Sequence, residues 1–534
     1  MRNDRRQRIN RLATSIVASM VALSALSQVK GSQPQLVVGI VIDQLRSDYI
    51  ELLQSQMSAD GFNRLLREGA VFDNAAFNCP QVDATSGTAL LMTGAYPRIN
   101  GVAWSQTFDP DKLVARDIFA DSHYIGNFTT DKYSASALQA STLADEVRIN
   151  NNGLGSVYAI APDAQMAIAL AGHAANGACW INDATGNWAS TTYYPEVPQC
   201  VQSRNYGRPL AARLDTMQWQ PLLPAGQYTS VPEASRYYSF RYTFGGQQAD
   251  RVKRFKQSAL ANEEVASVAI DCLNSLKLGR RGQLDMINVG LSAAPVQWAK
   301  GGDGRFELAD TYLRLDRQIA RLLAAIDAAV GRGRAVVFVA STGHFDTGHA
   351  VDPKFKIPTG EFHPDRATSL LNMYLMAVHG NGNWVQGYHH GSFYLNRRLI
   401  KERNANLAAM RAEASAFLRQ MSGITAAYTL DEILNNPSGD DMKAINRATV
   451  PQLAGDVTVE IAPGWDVVET QGKTHTVKHV RATAACAPIM ILAPQVRAQR
   501  TGSTIDAALL APTVARLLRI RSPNAAALSP LALH

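Results

Sequence analysis

Charged residues are few in this sequence. They make up 18% of its 534 residues, against 46% hydrophobic ones. That balance suits a globular chain with a sizeable core, either two or three domains or one large α/β domain with insertions. No internal repeat and no low-complexity block occurs. Cysteine is scarce: Cys79, Cys179, Cys200, Cys272 and Cys486 are the whole complement. None falls in a CxxC pair, which argues against a cysteine-bound metal site. In an oxidising compartment these thiols allow one or two disulfides with at least one thiol left over. Cys179 and Cys200 flank a turn-rich stretch and are the first choice among the possible pairs. After the first residues no apolar run reaches the roughly 20 residues that span a membrane. A strong basic surplus is also missing. The formal charge is +7, but residues 1–27 hold five Arg and one Asp, which leaves the remainder near +3. Nucleic acid is therefore not an expected partner.

What is present begins with a targeting signal. Arg2, Arg5, Arg6, Arg8 and Arg11 precede an apolar run from Leu12 to Leu26. Ala25-Leu26-Ser27 then supplies small residues around a cleavage site, with Gln28 as the expected mature N-terminus. A membrane anchor is the alternative, for which the run is short. The expectation is export to the periplasm, a signal peptide over 1–27 and a folded domain over 28–534.

Strand-like runs recur at Leu36–Asp43, Ser156–Ala161, Met286–Ser292, Ala335–Ser341 and Ile489–Ala493. Helical patterns alternate with them. The clearest is Asp310–Val330, where Leu313, Ile319, Leu322, Leu323 and Ile326 form one stripe. This alternation predicts an α/β fold with a mostly parallel central sheet and helices on both faces. Residues 105–255 are rich in Tyr, Trp, Gly, Pro and Asn and read as capping insertions. The run at Leu36–Asp43 ends in a carboxylate, where open α/β sheets place ligands.

Several segments, in order, resemble the alkaline phosphatase superfamily, most nearly the bacterial periplasmic phosphate-irrepressible alkaline phosphatases and the related type I phosphodiesterase and nucleotide pyrophosphatase group. They include Val38-Gly39-Ile40-Val41-Ile42-Asp43-Gln44, Gly61-Phe62-x-Arg64-Leu65-Leu66, Thr93-Gly94-x-x-Pro97 and Gly172-His173-Ala174-Ala175-Asn176. Asp310-Thr311-Tyr312-Leu313-Arg314-Leu315-Asp316, Lys356-Ile357-Pro358-x-Gly360 and Tyr394-Leu395-Asn396 continue the series. The resemblance implies an alkaline-phosphatase-like fold. It also implies two zinc ions held by six side chains, and a Thr or Ser nucleophile at a helix start.

Most of those positions hold other residues. Asp43 matches the first metal-binding aspartate, but the nucleophile position holds Ala84. Thr85 is the nearest hydroxyl, although one step along a helix re-aims a side chain by about 100°. Ala294 and Trp298 stand where the resemblance places an Asp and a His, and Ser341-Thr342 replaces an adjacent Asp-His pair. His475 matches the last histidine. Pro162-Asp163-Ala164 replaces a phosphate-contacting Lys-x-Arg, and Ser105 replaces an Asn. Two of six ligands remain, Asp43 and His475, whereas a stable zinc site uses three or four.

The resemblance, read through these substitutions, implies a catalytically inactive member that binds a protein or glycan ligand, with no cofactor. The alternative is an active phosphate- or sulfate-ester hydrolase, with Thr85 as nucleophile and zinc relocated to His344, Asp346, His349 and Asp352. The competing reading of those four residues is a polar loop over the old pocket. His173, His389, His390 and His479 read as structural or solvent-facing, and Lys253, Arg254 and Lys256 as a solvated basic face.

Overall fold

The Leu36–Asp43 run (β1) is built of β-branched and apolar residues that can be buried on both sides. The computed structural model describes residues 34–534, apart from 238, 297, 299–302, 346–357, 436, 472–473, 482–485 and 534. The signal sequence expected over 1–27 lies outside the described residues. In β1, Leu36, Val38, Ile40 and Ile42 point into one hydrophobic cluster, while Val37 and Val41 point into another. That alternation places a core on each face of the sheet.

The sheet has ten strands. After β1 they are Ala70–Phe72 (β2), Gly126–Asn127 (β3), Val157–Ile160 (β4), Gly177–Ile181 (β5) and Trp188–Thr191 (β6). Asp285–Ser292 (β7), Val336–Ser341 (β8), Ile489–Leu492 (β9) and Gln499–Thr501 (β10) complete it. The spatial order is β10-β2-β9-β8-β1-β7-β4-β5-β6-β3. The central run β8-β1-β7-β4-β5 is parallel throughout. Antiparallel pairs flank it on both sides, so the whole sheet is mixed. Each strand expected from the sequence forms within a residue of its predicted ends.

Four helices border the strand ends and the insertion: Ala84–Thr93 (α1), Ala164–Ala171 (α2), Ala259–Ser275 (α3) and Arg305–Val330 (α4). The last was expected to start at Asp310. It starts five residues earlier because Phe306, Leu308 and Ala309 are buried and Gly304, at φ 74°, supplies the left-handed entry. The stretch 105–255 divides in two. Its first part contributes β3 to β6. The remainder is helical around Gln199–Gly207, Leu210–Arg213 and Gln248–Lys256, with a short Gln218–Trp219/Tyr242–Thr243 hairpin. Asp310 of α4 ties that part down, accepting hydrogen bonds from Trp219 Nε1 at 2.7 Å, the Leu222 amide at 2.6 Å and the Tyr228 hydroxyl at 2.6 Å. A second, four-stranded sheet is formed by Val385–His389, Ser392–Leu395, Ile424–Thr429 and Val457–Ile461, and it carries its own apolar cluster.

Candidate functional site

The register of the central strands assembles one edge. Asp43 pairs with Ser292 and Ile42 with Ser341, so the ends of β1, β7 and β8 lie side by side. Backbone bonds continue past the strands: the Ala293 amide donates to the Asp43 carbonyl at 2.8 Å, and the Thr342 amide to that of Ile42 at 3.2 Å. Asn262 of α3, which the sequence reading did not single out, clasps the end of β7. Its amide donates to the Ser292 carbonyl at 2.7 Å, and its oxygen accepts the Ser292 N–H at 2.9 Å.

At this edge the Asp43 side chain is 15% exposed. Its Oδ1 accepts the Thr342 hydroxyl at 2.7 Å and lies 3.2 Å from His344 Nδ1. The His344 amide donates back to Thr342 Oγ1 at 3.3 Å, and the Gly343 amide to Ser341 Oγ at 3.3 Å. The segment after β8 is therefore folded onto the Asp43 carboxylate by its own hydroxyls. Ser341 and Thr342 are fully buried.

The first turn of α1 closes the same edge. A Cβ on Gly87 would stand 1.9 Å from the Thr342 carbonyl oxygen, so glycine is what lets helix and strand end approach. Asp83 caps α1 through a reciprocal bond with Ser86 and also accepts the Ser105 amide at 2.5 Å. Ala84 opens the helix with only a methyl group. Thr85 is 2% exposed, and the Thr88 hydroxyl is spent on the Ala84 carbonyl at 2.6 Å. Where the resemblance places phosphate-binding cations, Asp163 caps α2, and Lys256 approaches it to 3.8 Å.

Ala294 lies beside the end of β7, its amide on Ser292 Oγ at 3.1 Å. Trp298 packs into an aromatic cluster beneath the insertion, its ring 5.0 Å from that of Tyr242 and 6.4 Å from those of Trp219 and Phe244. It is partly buried and packs against the hydrophobic core. His475 lies on the Thr474–His479 strand opposite Thr470, and its side chain is outside what is described. Of the relocated set, His344 reaches Asp43, while Asp346, His349 and Asp352 lie outside the described residues.

His390 stacks on Trp104 at 4.2 Å and His389 lies over Phe108 at 5.8 Å. Burial pushes both imidazoles below their usual range. His173 is 3.3 Å from the Tyr193 hydroxyl, and His479 bonds Asp466. In the basic run, Lys256 is 13% exposed and bonds Asp183, so this cation is not free in solvent. Cys200 faces Cys272 rather than Cys179, with Sγ atoms 2.8 Å apart.

Among the described residues no group of three or more His, Cys, Asp or Glu is arranged to hold a metal. Asp43 Oδ1 is already engaged by a hydroxyl donor, and Ser341 and Thr342 offer weak neutral oxygens. This donor set does not fit a zinc site of three or four charged or imidazole ligands.

The chain is 25% identical to alkaline phosphatase PafA of Elizabethkingia meningoseptica over 97% of both chains. It is 27% identical to alkaline phosphatase PhoV of Synechococcus elongatus, over 92% of this chain and 91% of the relative. The crystal structure of wild-type PafA superposes with a TM-score of 0.80 at 24% identity, covering 93% of this chain and 98% of that one. The model of the type I phosphodiesterase / nucleotide pyrophosphatase family matches residues 37–484. On this fold and this match, the chain belongs to the type I phosphodiesterase / nucleotide pyrophosphatase family, within the alkaline phosphatase superfamily.

Proposed function

We propose that this chain is a catalytically inactive member of its family, exported, that binds a protein or glycan ligand without turning it over. One observation carries the reading. The Asp43 carboxylate is closed by the Thr342 hydroxyl at 2.7 Å, beside a helix that opens on Ala84. A hydrolase of this kind needs a nucleophile and positive charge at the edge where phosphoryl oxygens gather. Among the described residues, the edge offers the Ala84 methyl group, the Thr342 hydroxyl and the His344 imidazole. The relatives named alkaline phosphatases make phosphate esters the substrates to try first.

A second reading has its own support. His344 stands 3.2 Å from Asp43, which sets one imidazole beside the remaining carboxylate. In that reading the chain is an active phosphate- or sulfate-ester hydrolase with Thr85 as nucleophile.

One experiment separates them. The purified protein and an identically purified Thr85→Ala variant are assayed on an aryl phosphate, a phosphodiester and an aryl sulfate, with zinc measured after dialysis. The binding reading expects equal background rates and well under one zinc per chain. Turnover lost in Thr85→Ala, with metal retained by the parent, establishes the hydrolase instead.

A further inference from the structure

The insertion helix Gln199–Gly207 is weakly amphipathic, and Val201 is its one buried residue. Apolar packing therefore does little to hold it. Cys200 and Arg204, one turn apart, point at α3. Arg204 reaches the buried Glu264 at 2.7 Å, and Cys200 Sγ lies 2.8 Å from Cys272 Sγ. The two cysteines are 72 residues apart, and the segment between them contains most of the helical second part of the 105–255 stretch. We propose that Cys200 and Cys272 are a redox modification site, joined as a disulfide that closes the insertion onto α3.

The two sulfurs have different environments, which assigns their parts. Cys200 is half-buried, while Cys272 is fully buried. The hydrogen bond from Cys272, together with others from Ser275 and the Val201 amide, outweighs burial and lowers the Cys200 thiol to about 7. The same contact, with burial, raises Cys272 well above its ordinary range. Cys200 is thus the attacking thiolate and Cys272 the resolving thiol. Cys200 attacks a disulfide oxidant, such as glutathione disulfide or a thiol oxidoreductase, and expels one of its sulfurs as a thiol. Cys272 then gives up its proton and attacks the Cys200 sulfur, expelling the second. Two cysteine thiols lose two electrons and two protons, and the oxidant leaves as two thiols. Cys179, buried on β5, lies near enough to raise Cys272 further and to be raised by Cys200, and it is the competing partner.

In cells the bond rests on the export reading, because it needs an oxidising compartment. Its chemistry does not, so the test is run on purified full-length protein. One portion is incubated with glutathione disulfide and another with dithiothreitol. Both are denatured in alkylating agent and mapped by mass spectrometry without reduction. The expected result is a peptide pair joining Cys200 to Cys272, with free thiols falling from the five of the sequence to three. The oxidised form is expected to melt about 5 °C higher than the reduced form, since the bond closes a long loop. Cys272→Ser is expected to stop at a glutathione adduct on Cys200. Alkylation of both cysteines after oxidation overturns the proposal. So does a Cys179–Cys200 link, or a stable glutathione adduct in the wild-type chain. A Cys200–Cys272 link made in vitro but absent from freshly isolated native protein leaves this chemistry standing and counts against export.

Discussion

Thr342 is where the candidate edge is decided. It is fully buried, donates its hydroxyl to Asp43 and accepts the His344 amide. Replacing it with Val keeps the volume but removes both bonds, leaving a half-buried carboxylate short of a donor. The expected loss is about 1–2 kcal/mol, read from urea unfolding midpoints. Thr342→Ser keeps the hydroxyl and is expected to recover most of it. Equal stability of Thr342→Val and wild type would show that Asp43 is satisfied without this hydroxyl.

Elements meet at contacts that invert ordinary rules. Gly to Ala inside an exposed helix stabilises by about 1 kcal/mol. At Gly87 of α1 the added carbon would stand 1.9 Å from the Thr342 carbonyl oxygen, and backbone cannot swing aside. Gly87→Ala is expected to destabilise instead, by about 2 kcal/mol or more, in thermal or urea unfolding. A second such contact joins α3 to the insertion. Glu264, 4% exposed, receives Arg204, Arg213 and the Trp188 indole. Burial pushes its carboxyl up, but the hydrogen bonds from Arg204 and then Arg213 outweigh it and hold the carboxyl at about 2. An unfolded Glu titrates near ~4.3, so this stabilisation is complete above that pH and is lost as pH falls toward 2. It is on the order of 3 kcal/mol. Unfolding midpoints taken across that window are expected to fall steeply in wild type and more gently in Glu264→Gln, which starts lower. Parallel slopes would mean the carboxyl keeps an ordinary titration.

For the whole molecule, residues Gln35–His534 make one compact unit with a core on each face of the ten-stranded sheet. No helix among the described residues is long and apolar enough to cross a membrane. The Arg-rich start and Ala25-Leu26-Ser27 remain the basis for export. N-terminal sequencing of native protein is expected to read from Gln28, outside the cytoplasm. A start at Met1 or Arg2 would refute cleavage.

Much of this was legible in the chain itself. Runs such as Leu36–Asp43 announce strands buried on both faces, because only apolar, β-branched residues tolerate that environment. The identities of Ala84, Ala294 and Trp298 exclude metal binding by themselves, since a methyl or an indole offers a zinc ion no suitable lone pair. Other features are set by contacts between residues far apart in sequence. Asp43 and Thr342 are 299 positions apart and meet because Ile42 pairs with Ser341. Trp298 reads as a replaced ligand in sequence, yet its ring goes into the Trp219, Tyr242 and Phe244 cluster. The turn-rich stretch they flank pairs Cys200 with Cys179 in the sequence, and helix packing turns it to Cys272. Residue identity limits what chemistry a position can do. Strand register and helix packing, which no local pattern encodes, decide which groups it does it with.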